Sequence, residues 1–549
     1  MEGTPVPGSR SFNPPHSRYG SFDSATHASS EIVDVSLEDD WTAFMDTKQP
    51  AEKEKGAVAR IAEEATAMAN ISIPCAVANV LQFLPVTCQL MLVGHLSGVG
   101  GKDLDAVALG RAYWNATGLS IGYGVASALR TLCPQAVGAG KPHLCRAYAQ
   151  RAVFLATLIT IPCSILQLNA SSILKLMNQP DDLAELAGEY CVRCIPQLYF
   201  MLLFTIMQRL MQALNFNWTN FAVCLTVCVL SPGILYFFIG FLGWGYIGAG
   251  WGASVYTFLY LCLSIPAMIY QGQGYLFEFE GPSVFDSERI KEYILLAVPG
   301  TLQMCLEWWV LEMISLFAGM LPNPSVTIGA SYIVYNMEGL AVMMWIGNMV
   351  AISIRVGEHI GAGRMRKAKD AAAIGMSTGV VVSMILAAVI FTYRESLVTF
   401  YTNNDQTRVV ASRLLCVLSV LVVCDSCNNA TGGIMNGLGQ QRWGALFQLA
   451  GYYGLAVPIA VTCVFFYTPK RPILYLWSGV ALAMASSCVM QLSFLSKYDW
   501  GLSIKDAQER LSTRRHRGEH EDGGMEEDLS FDLDASTIAG GDSDATISL

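Results

Sequence analysis

The sequence predicts an all-α polytopic membrane protein with 12 transmembrane helices in two pseudo-symmetric six-helix lobes. Scarcity of charge is the first reason. Only 14% of the 549 residues are charged, where soluble proteins carry about 25%, and the mean hydropathy is +0.41. The count of apolar runs is the second. A helix needs about 20 apolar residues to cross a bilayer. Twelve runs qualify: 67–93, 105–129, 148–168, 185–213, 219–243, 246–270, 291–320, 327–354, 371–393, 407–437, 444–466 and 473–496. An internal repeat is the third. Gln135-Ala136-Val137-Gly138-Ala139-Gly140-Lys141 matches Glu358-His359-Ile360-Gly361-Ala362-Gly363-Arg364 at an offset of 223. Ile73-Pro74 matches Val298-Pro299 at 225, and Met211-Gln212-Ala213-Leu214 matches Met435-Asn436-Gly437-Leu438 at 224. With six spans per half, the repeats share one orientation. Such parallel repeats are related by an axis along the membrane normal, with the transport pathway between them.

Basic residues set the topology. Lys53, Lys55 and Arg60 precede span 1, and Lys141, Arg146 and Arg151 follow span 2. Arg355, Arg364, Arg366, Lys367 and Lys369 follow span 8, and Arg510, Arg514, Arg515 and Arg517 follow span 12. Both termini in the cytosol put all four groups on one side, as the positive-inside rule asks. A plasma membrane and a vacuolar or other acidic-organelle membrane give this same orientation. The expected organisation is a disordered cytosolic tail (1–65), an N-lobe (66–270), a cytosolic linker (271–289), a C-lobe (290–498) and an acidic disordered cytosolic tail (499–549). The tails read as disordered from their polar, Ser/Pro/Gly-rich and acidic composition. The net charge of −10 concentrates there and says little about partners. No short apolar core of a cleaved signal peptide precedes the first span, which would itself act as the targeting signal.

The chemistry concentrates in the C-lobe. Glu307-Trp308-Trp309-Val310-Leu311-Glu312 sets two carboxylates in an apolar span. A charge at the bilayer centre costs at least ~2.5 kcal/mol, so an acid there is a functional-site candidate by default. A carboxyl held away from water titrates closer to neutral pH than a solvated one, which a proton carrier needs. Glu338 and Asp425 add mid-span acids in spans 8 and 10. Glu307 and Glu312 lie about 140° apart on an ideal helix. They share a pocket only if span 7 bends or a neighbouring span reaches round. The repeat projects Glu307 onto Gln82, Glu312 onto Thr87, Glu338 onto Asn115 and Asp425 onto Met201. A proton-coupling and substrate site built from Glu307, Glu312, Glu338 and Asp425 would therefore belong to one lobe. The alternative is an acid neutralised by an arginine of the other lobe, such as Arg111 or Arg193.

Trp308, Trp309, Tyr332 and Tyr335 read either as helix packing or as a cation-accepting aromatic wall. Asn115, Gln82, Asn79 and Gln135 would make the facing N-lobe wall polar. Arg111 and Arg193 read first as snorkelling to the outer surface, with pairing to Glu189 second and recognition of an anionic substrate third. Gly138-Ala139-Gly140 and Gly361-Ala362-Gly363 lack the Lys-Ser/Thr and the strand-to-helix context of a phosphate loop, and read as tight turns. Without a nucleotide-binding motif, transport must run on an ion gradient. Cys191-x-x-Cys194 and Cys424-x-x-Cys427 have no second pair to complete a metal site, so most of the 16 cysteines read as small hydrophobes. No catalytic constellation is present. The expectation is no enzyme, no cofactor beyond H⁺ as coupling ion, and no nucleic-acid partner.

Leu306-Glu307-Trp308-Trp309 with Glu312, Leu321-Pro322-Asn323-Pro324, Leu132-Cys133-Pro134-Gln135-Ala136-Val137-Gly138-Ala139-Gly140 and Gly432-Gly433 after Asp425 carry a family resemblance. Over about residues 65–498 the chain resembles the eukaryotic branch of the multidrug and toxic compound extrusion (MATE) family. The resemblance implies two six-helix lobes in a V, working by alternating access as an antiporter. Such proteins expel organic cations or secondary metabolites in exchange for H⁺, or for Na⁺ in some bacterial members. It matches family acids of span 7 to Glu307 and Glu312, those of spans 8 and 10 to Glu338 and Asp425, and a span 2 Asn to Asn115. The chain also departs from the pattern. Gln82 leaves span 1 without the aspartate of many bacterial members, which favours H⁺ over Na⁺. Arg130 stands where plant relatives often have Glu, Pro134 where they often have Gly, and Arg111 is an unusual charge for its position. The expected activity is export of a small organic cation by a monomer in the lipid bilayer. A lipid or oligosaccharide-lipid flippase, or an exporter of anionic metabolites, is the alternative and would want a basic cavity.

Overall fold

The computed structural model describes residues 57–96, 102–177, 179–402, 404–467 and 471–512. Regular structure among them is helical throughout. The N-terminal half comprises α1 (Ala57–Leu96), α2 (Lys102–Trp114), α3 (Ser120–Val125), α4 (Leu129–Gly138), α5 (Leu144–Leu168), α6 (Ala170–Leu176), α7 (Asp181–Arg193), α8 (Ile195–Ala213), α9 (Asn217–Tyr236) and α10 (Gly245–Tyr270). The C-terminal half comprises α11 (Ser287–Gly319), α12 (Pro324–Gly361), α13 (Met365–Tyr401), α14 (Asp405–Leu438), α15 (Gln441–Gln448), α16 (Val457–Phe465) and α17 (Pro472–Lys497), followed by α18 (Trp500–Ser512).

Among the described residues, ten helices are long and apolar enough to cross a membrane, or eleven if α7 and α8, bent by 47° at their junction, count as one span. The remaining expected span, 105–129, is a run of short pieces. A π-helical turn (Asn115–Leu119) separates α2 from α3, and a 3₁₀ turn (Ala126–Ala128) separates α3 from α4. Asp103, Asp105 and Arg111 also dilute the apolar character of α2. Two further π segments follow: Phe237–Phe241 extends α9, and Leu449–Ala456 joins α15 to α16. Wide turns of this kind recur at functional sites.

Packing follows the repeat. One apolar core fills the N-terminal half and takes in Tyr293, Leu296 and Ala297 from the start of α11. A second runs from Val310 to Met484 in the C-terminal half. α11 thus begins against one half and ends inside the other. The turns after α4 and α12 are alike, with Lys141 N–H donating to Ala136 O at 2.9 Å and Arg364 N–H to His359 O at 2.8 Å. Gly140 and Gly363 both hold φ at 72°, the left-handed cap that glycine adopts without a Cβ clash. Gly138 and Gly361 do something the motif alone did not reveal. A Cβ on Gly138 would sit 1.9 Å from Glu358 O, and one on Gly361 would sit 2.0 Å from Gln135 O. The backbones of α4 and α12 therefore touch at this crossing.

Charge fastens the same end. Arg355 Nε and Nη2 each donate to Glu64 of α1 at 2.7 Å, and its Nη1 donates to Glu358 at 2.7 Å. Asn215 Nδ2 donates to Glu358 Oε1 at 3.2 Å. Residues 500–512, expected within a disordered tail, instead form α18. Trp500, Ile504, Ala507 and Leu511 are buried, an apolar stripe at helical spacing inside a charged segment. Arg510 Nη2 donates to Gln135 Oε1 at 2.9 Å and Lys141 Nζ to Leu511 O at 3.1 Å, holding α18 against the N-terminal half. Arg146 of α5 holds the expected linker, pairing with its Glu280 and, at 3.4 Å, with its Glu278. Residues 1–56 and 513–549, most of both predicted tails, lie outside the described residues.

Candidate coupling and substrate site

Three of the four predicted acids meet. Asp425 of α14 is fully buried, and its Oδ1 accepts a hydrogen bond from Asn429 Nδ2, one turn on, at 2.9 Å. Glu338 of α12 is 3% exposed. Among the described residues, neither Glu338 oxygen nor Asp425 Oδ2 meets an N–H or O–H donor; the two carboxyls face each other instead. Two such groups bond only when one is protonated and donates. Glu307, half-buried on α11, faces Gln448 at the end of α15 and acts electrostatically on both members of the pair.

The π segment completes this wall. Tyr452 lies within electrostatic reach of all three acids, and its hydroxyl accepts from Asn428 Nδ2 at 3.3 Å. Asn428 Oδ1 accepts in turn from Gln491 at 3.3 Å. Tyr453 donates to Leu306 O at 3.1 Å, tying the segment to the helix turn that carries Glu307.

Glu312 stands apart from the trio, beside Tyr335. The 140° between it and Glu307 is kept, because α11 runs unbroken through both. Tyr335 is half-buried and within reach of Arg111 across the halves. Trp308 meets Tyr123 of α3 edge-on, with ring centroids 5.9 Å apart and planes at 84°. Trp309 is 42% exposed, and its indole N–H donates to Ala116 O in the first π turn at 3.4 Å. Tyr332 is 59% exposed. Asn115 opens that π turn, with an Oδ1 that meets no donor among the described residues. Gln82 is turned elsewhere. Its Nε2 donates to Ala78 O at 3.3 Å and toward Cys224 Sγ at 3.6 Å, within the N-terminal half.

The facing wall is basic, which the sequence reading underplayed. Arg130 of α4 is 8% exposed and lies within electrostatic reach of Glu307. Arg209 of α8 is 9% exposed; its Nη1 donates to Gln212 Oε1 at 2.7 Å. The two guanidiniums repel each other. Arg111 does not snorkel outward. It sits over Trp114, 5.6 Å from the ring centroid, near Tyr190 and Tyr256. Arg193 takes the second expected role and pairs with Glu189 at 3.9 Å. The signal for Arg130 was its place one residue past the expected end of span 2. The helical path in fact continues to Gly138, which puts Arg130 inside.

Comparison with known proteins agrees with this architecture. The MatE family model matches residues 74–239 and 299–462, two blocks displaced by 225 residues (299 − 74), the offset of the internal repeat. Multidrug and toxin extrusion protein 2 of Mus musculus is 27% identical over 455 residues, covering 83% of this chain and 78% of its own. Protein DETOXIFICATION 16 of Arabidopsis thaliana is 29% identical over 461 residues, covering 83% and 93%. The crystal structure of the eukaryotic MATE transporter AtDTX14 matches with a TM-score of 0.77 at 24% identity, over 82% of this chain and 100% of that one. Both blocks of the family model fall on the helical repeat that builds the acidic and basic walls, and the chain belongs to the MatE family of multi-pass membrane transporters.

Proposed function

We propose that this chain is a secondary active antiporter that exports small organic substrates bearing a cationic group in exchange for H⁺, working as a monomer in the lipid bilayer. The observation that carries the reading is the carboxyl cluster of Glu307, Glu338 and Asp425 on three different helices of one half. The positive-inside rule assigns the Lys141 and Arg364 end to the cytosol. The crossing of Gly138 and Gly361 then closes the pathway on the cytosolic side, and Glu307 is set to exchange with the outer side. A proton arriving on Glu307 cancels the charge that held the cation, and substrate leaves. The protonated carrier reorients, loses H⁺ to the cytosol and binds substrate again. Proton and cation exclude each other at one carboxylate, and that exclusion couples the two fluxes.

Glu338 and Asp425 hold a second proton between them and make the charge on Glu307 sensitive to it. Arg130 beside Glu307 favours H⁺ over Na⁺, because a bound metal cation would face the guanidinium whereas a proton leaves a neutral O–H. The test is uptake of a fluorescent organic cation into proteoliposomes with an acidic interior. Wild type should accumulate the dye and Glu307→Gln should lose the gradient-driven part. Undiminished uptake by Glu307→Gln would sink the reading.

A further inference from the structure

The proposed cycle gives α18 no task, yet its contacts reach both halves. Its start is fixed to the C-terminal half. Only Tyr498 and Asp499 separate it from the end of α17, and Tyr498 OH accepts from Gln440 Nε2, just past α14, at 2.7 Å. The same hydroxyl bonds Ser503 Oγ at 2.9 Å. Lys369 of α13 holds its ammonium 5.9 Å from the Trp500 ring centroid, a cation–π contact. The other end meets the N-terminal half. Leu511 joins the N-terminal apolar core, Lys141 Nζ donates to its carbonyl, and Arg510 Nη2 donates to Gln135 Oε1.

Gln135 gives these contacts their consequence. Its backbone carbonyl is the atom against which Gly361 packs, and its Nε2 donates to Gly437 O of α14 at 2.9 Å. One residue of α4 thus meets α12, α14 and α18 at the closed crossing. The Arg510 guanidinium lies on the same seam, 3.6 Å from where a Cβ on Gly439 would sit and 3.9 Å from Glu292 of α11. Ala139 and Ala362, the middle residues of the two glycine turns, line one pocket with Gln508 of α18.

Opening toward the cytosol draws Gln135 away from Gly361 and Gly437. A two-residue link reaches at most ~7 Å, and the contacts beside it belong to the C-terminal half. The end at Arg510 and Leu511 is therefore the one that lets go. We propose that α18 is the latch of the cytosolic gate. It rides with the C-terminal half, and the grip of Arg510 and Leu511 on the N-terminal half sets the balance between cytosol-closed and cytosol-open states. The inference rests on the reorienting carrier proposed above and adds the part that sets its balance.

Reversible cross-links test it in proteoliposomes of the full chain. Ala139→Cys with Gln508→Cys joins α18 to the N-terminal half, and Ala362→Cys with Gln508→Cys joins it to the C-terminal half. Each pair is bridged by a short bis-methanethiosulfonate, with single-cysteine variants as controls for the native thiols. The first bridge should abolish gradient-driven dye uptake, and reduction should restore it; the second should leave uptake within about twofold. Equal effects of the two bridges, or the reverse order, would overturn the inference. A second measurement reads the latch without transport. Spin labels on non-canonical side chains replace His143 and Arg366, exposed residues of the two halves. Arg510→Ala should raise the ratio of the long-distance to the short-distance population about tenfold. Leu511→Ala, which leaves Arg510 in place, should move it the same way, with monodisperse elution confirming that each variant is folded. Unchanged distances in both variants would overturn the latch. A wild type that takes up no dye would sink the antiport reading, and the spin-label distances would still decide the latch.

Discussion

In the proposed mechanism Glu338 and Asp425 share a single proton as a buried pair. Glu338→Gln keeps a donor toward Asp425 and removes the exchangeable proton. Uptake should fall about tenfold or more, and its dependence on the pH gradient should flatten. Because the two acids act as one unit, Glu338→Gln combined with Asp425→Asn should cost no more than either change alone. Additive losses in initial uptake rates would show that they act separately. Gln82 is the contrasting case. Its bonds lie within the N-terminal half, so Gln82→Ala should cost about 1 kcal/mol of stability and leave initial uptake within roughly twofold of wild type; a larger transport loss would return it to the cavity. These acids were legible in the sequence because a carboxylate in an apolar run stands out. Gln82 was not, since a polar residue on a helix gives no sign of which neighbour it bonds.

In the proposed cycle, helices and their crossings carry the conformational change. Gly361→Ala would drive a Cβ to 2.0 Å from Gln135 O, and a backbone atom yields less readily than a flexible side chain. The cost to the closed crossing should reach at least the ~1–3 kcal/mol of ordinary overpacking. A cysteine placed at Ala139 should then react faster with a soluble thiol reagent than in the parent protein, and unchanged labelling would remove the crossing as a gate. The repeat itself was readable from Gly138-Ala139-Gly140 and Gly361-Ala362-Gly363, but the backbone contact was not, because it depends on where the partner helix runs. Span 2 was read as one uniform helix for a related reason. Asn115-Ala116-Thr117-Gly118-Leu119 has no residue that demands a π turn, so its wide turn had no local signature. The helix α18 escaped because its acidic surroundings masked a stripe of only four apolar residues.

At the scale of the molecule, two halves close at one end and set opposite charges on facing walls. Glu64, Arg355 and Glu358 hold the closed end together across the halves. Removing one partner of a largely buried ion pair costs on the order of 3 kcal/mol, so Glu64→Gln should shift the population toward the state open at the Arg364 end. Faster labelling of the Ala139→Cys reporter in the Glu64→Gln background would show that shift, and unchanged labelling would contradict it. The two-lobed architecture was legible from the offset of the repeat. The basic wall was not, because Arg130 and Arg209 come from separate helices and meet only in the fold. The central claim is that one carboxylate carries proton and substrate by turns. Its most direct measurement imposes a gradient of a cationic substrate across proteoliposomes with no initial pH difference and follows internal pH with a trapped dye. Substrate moving inward should drive H⁺ outward, raising the internal pH, and Glu307→Gln should abolish the signal. Proton movement in the same direction as substrate, or an undiminished signal in Glu307→Gln, would contradict the account.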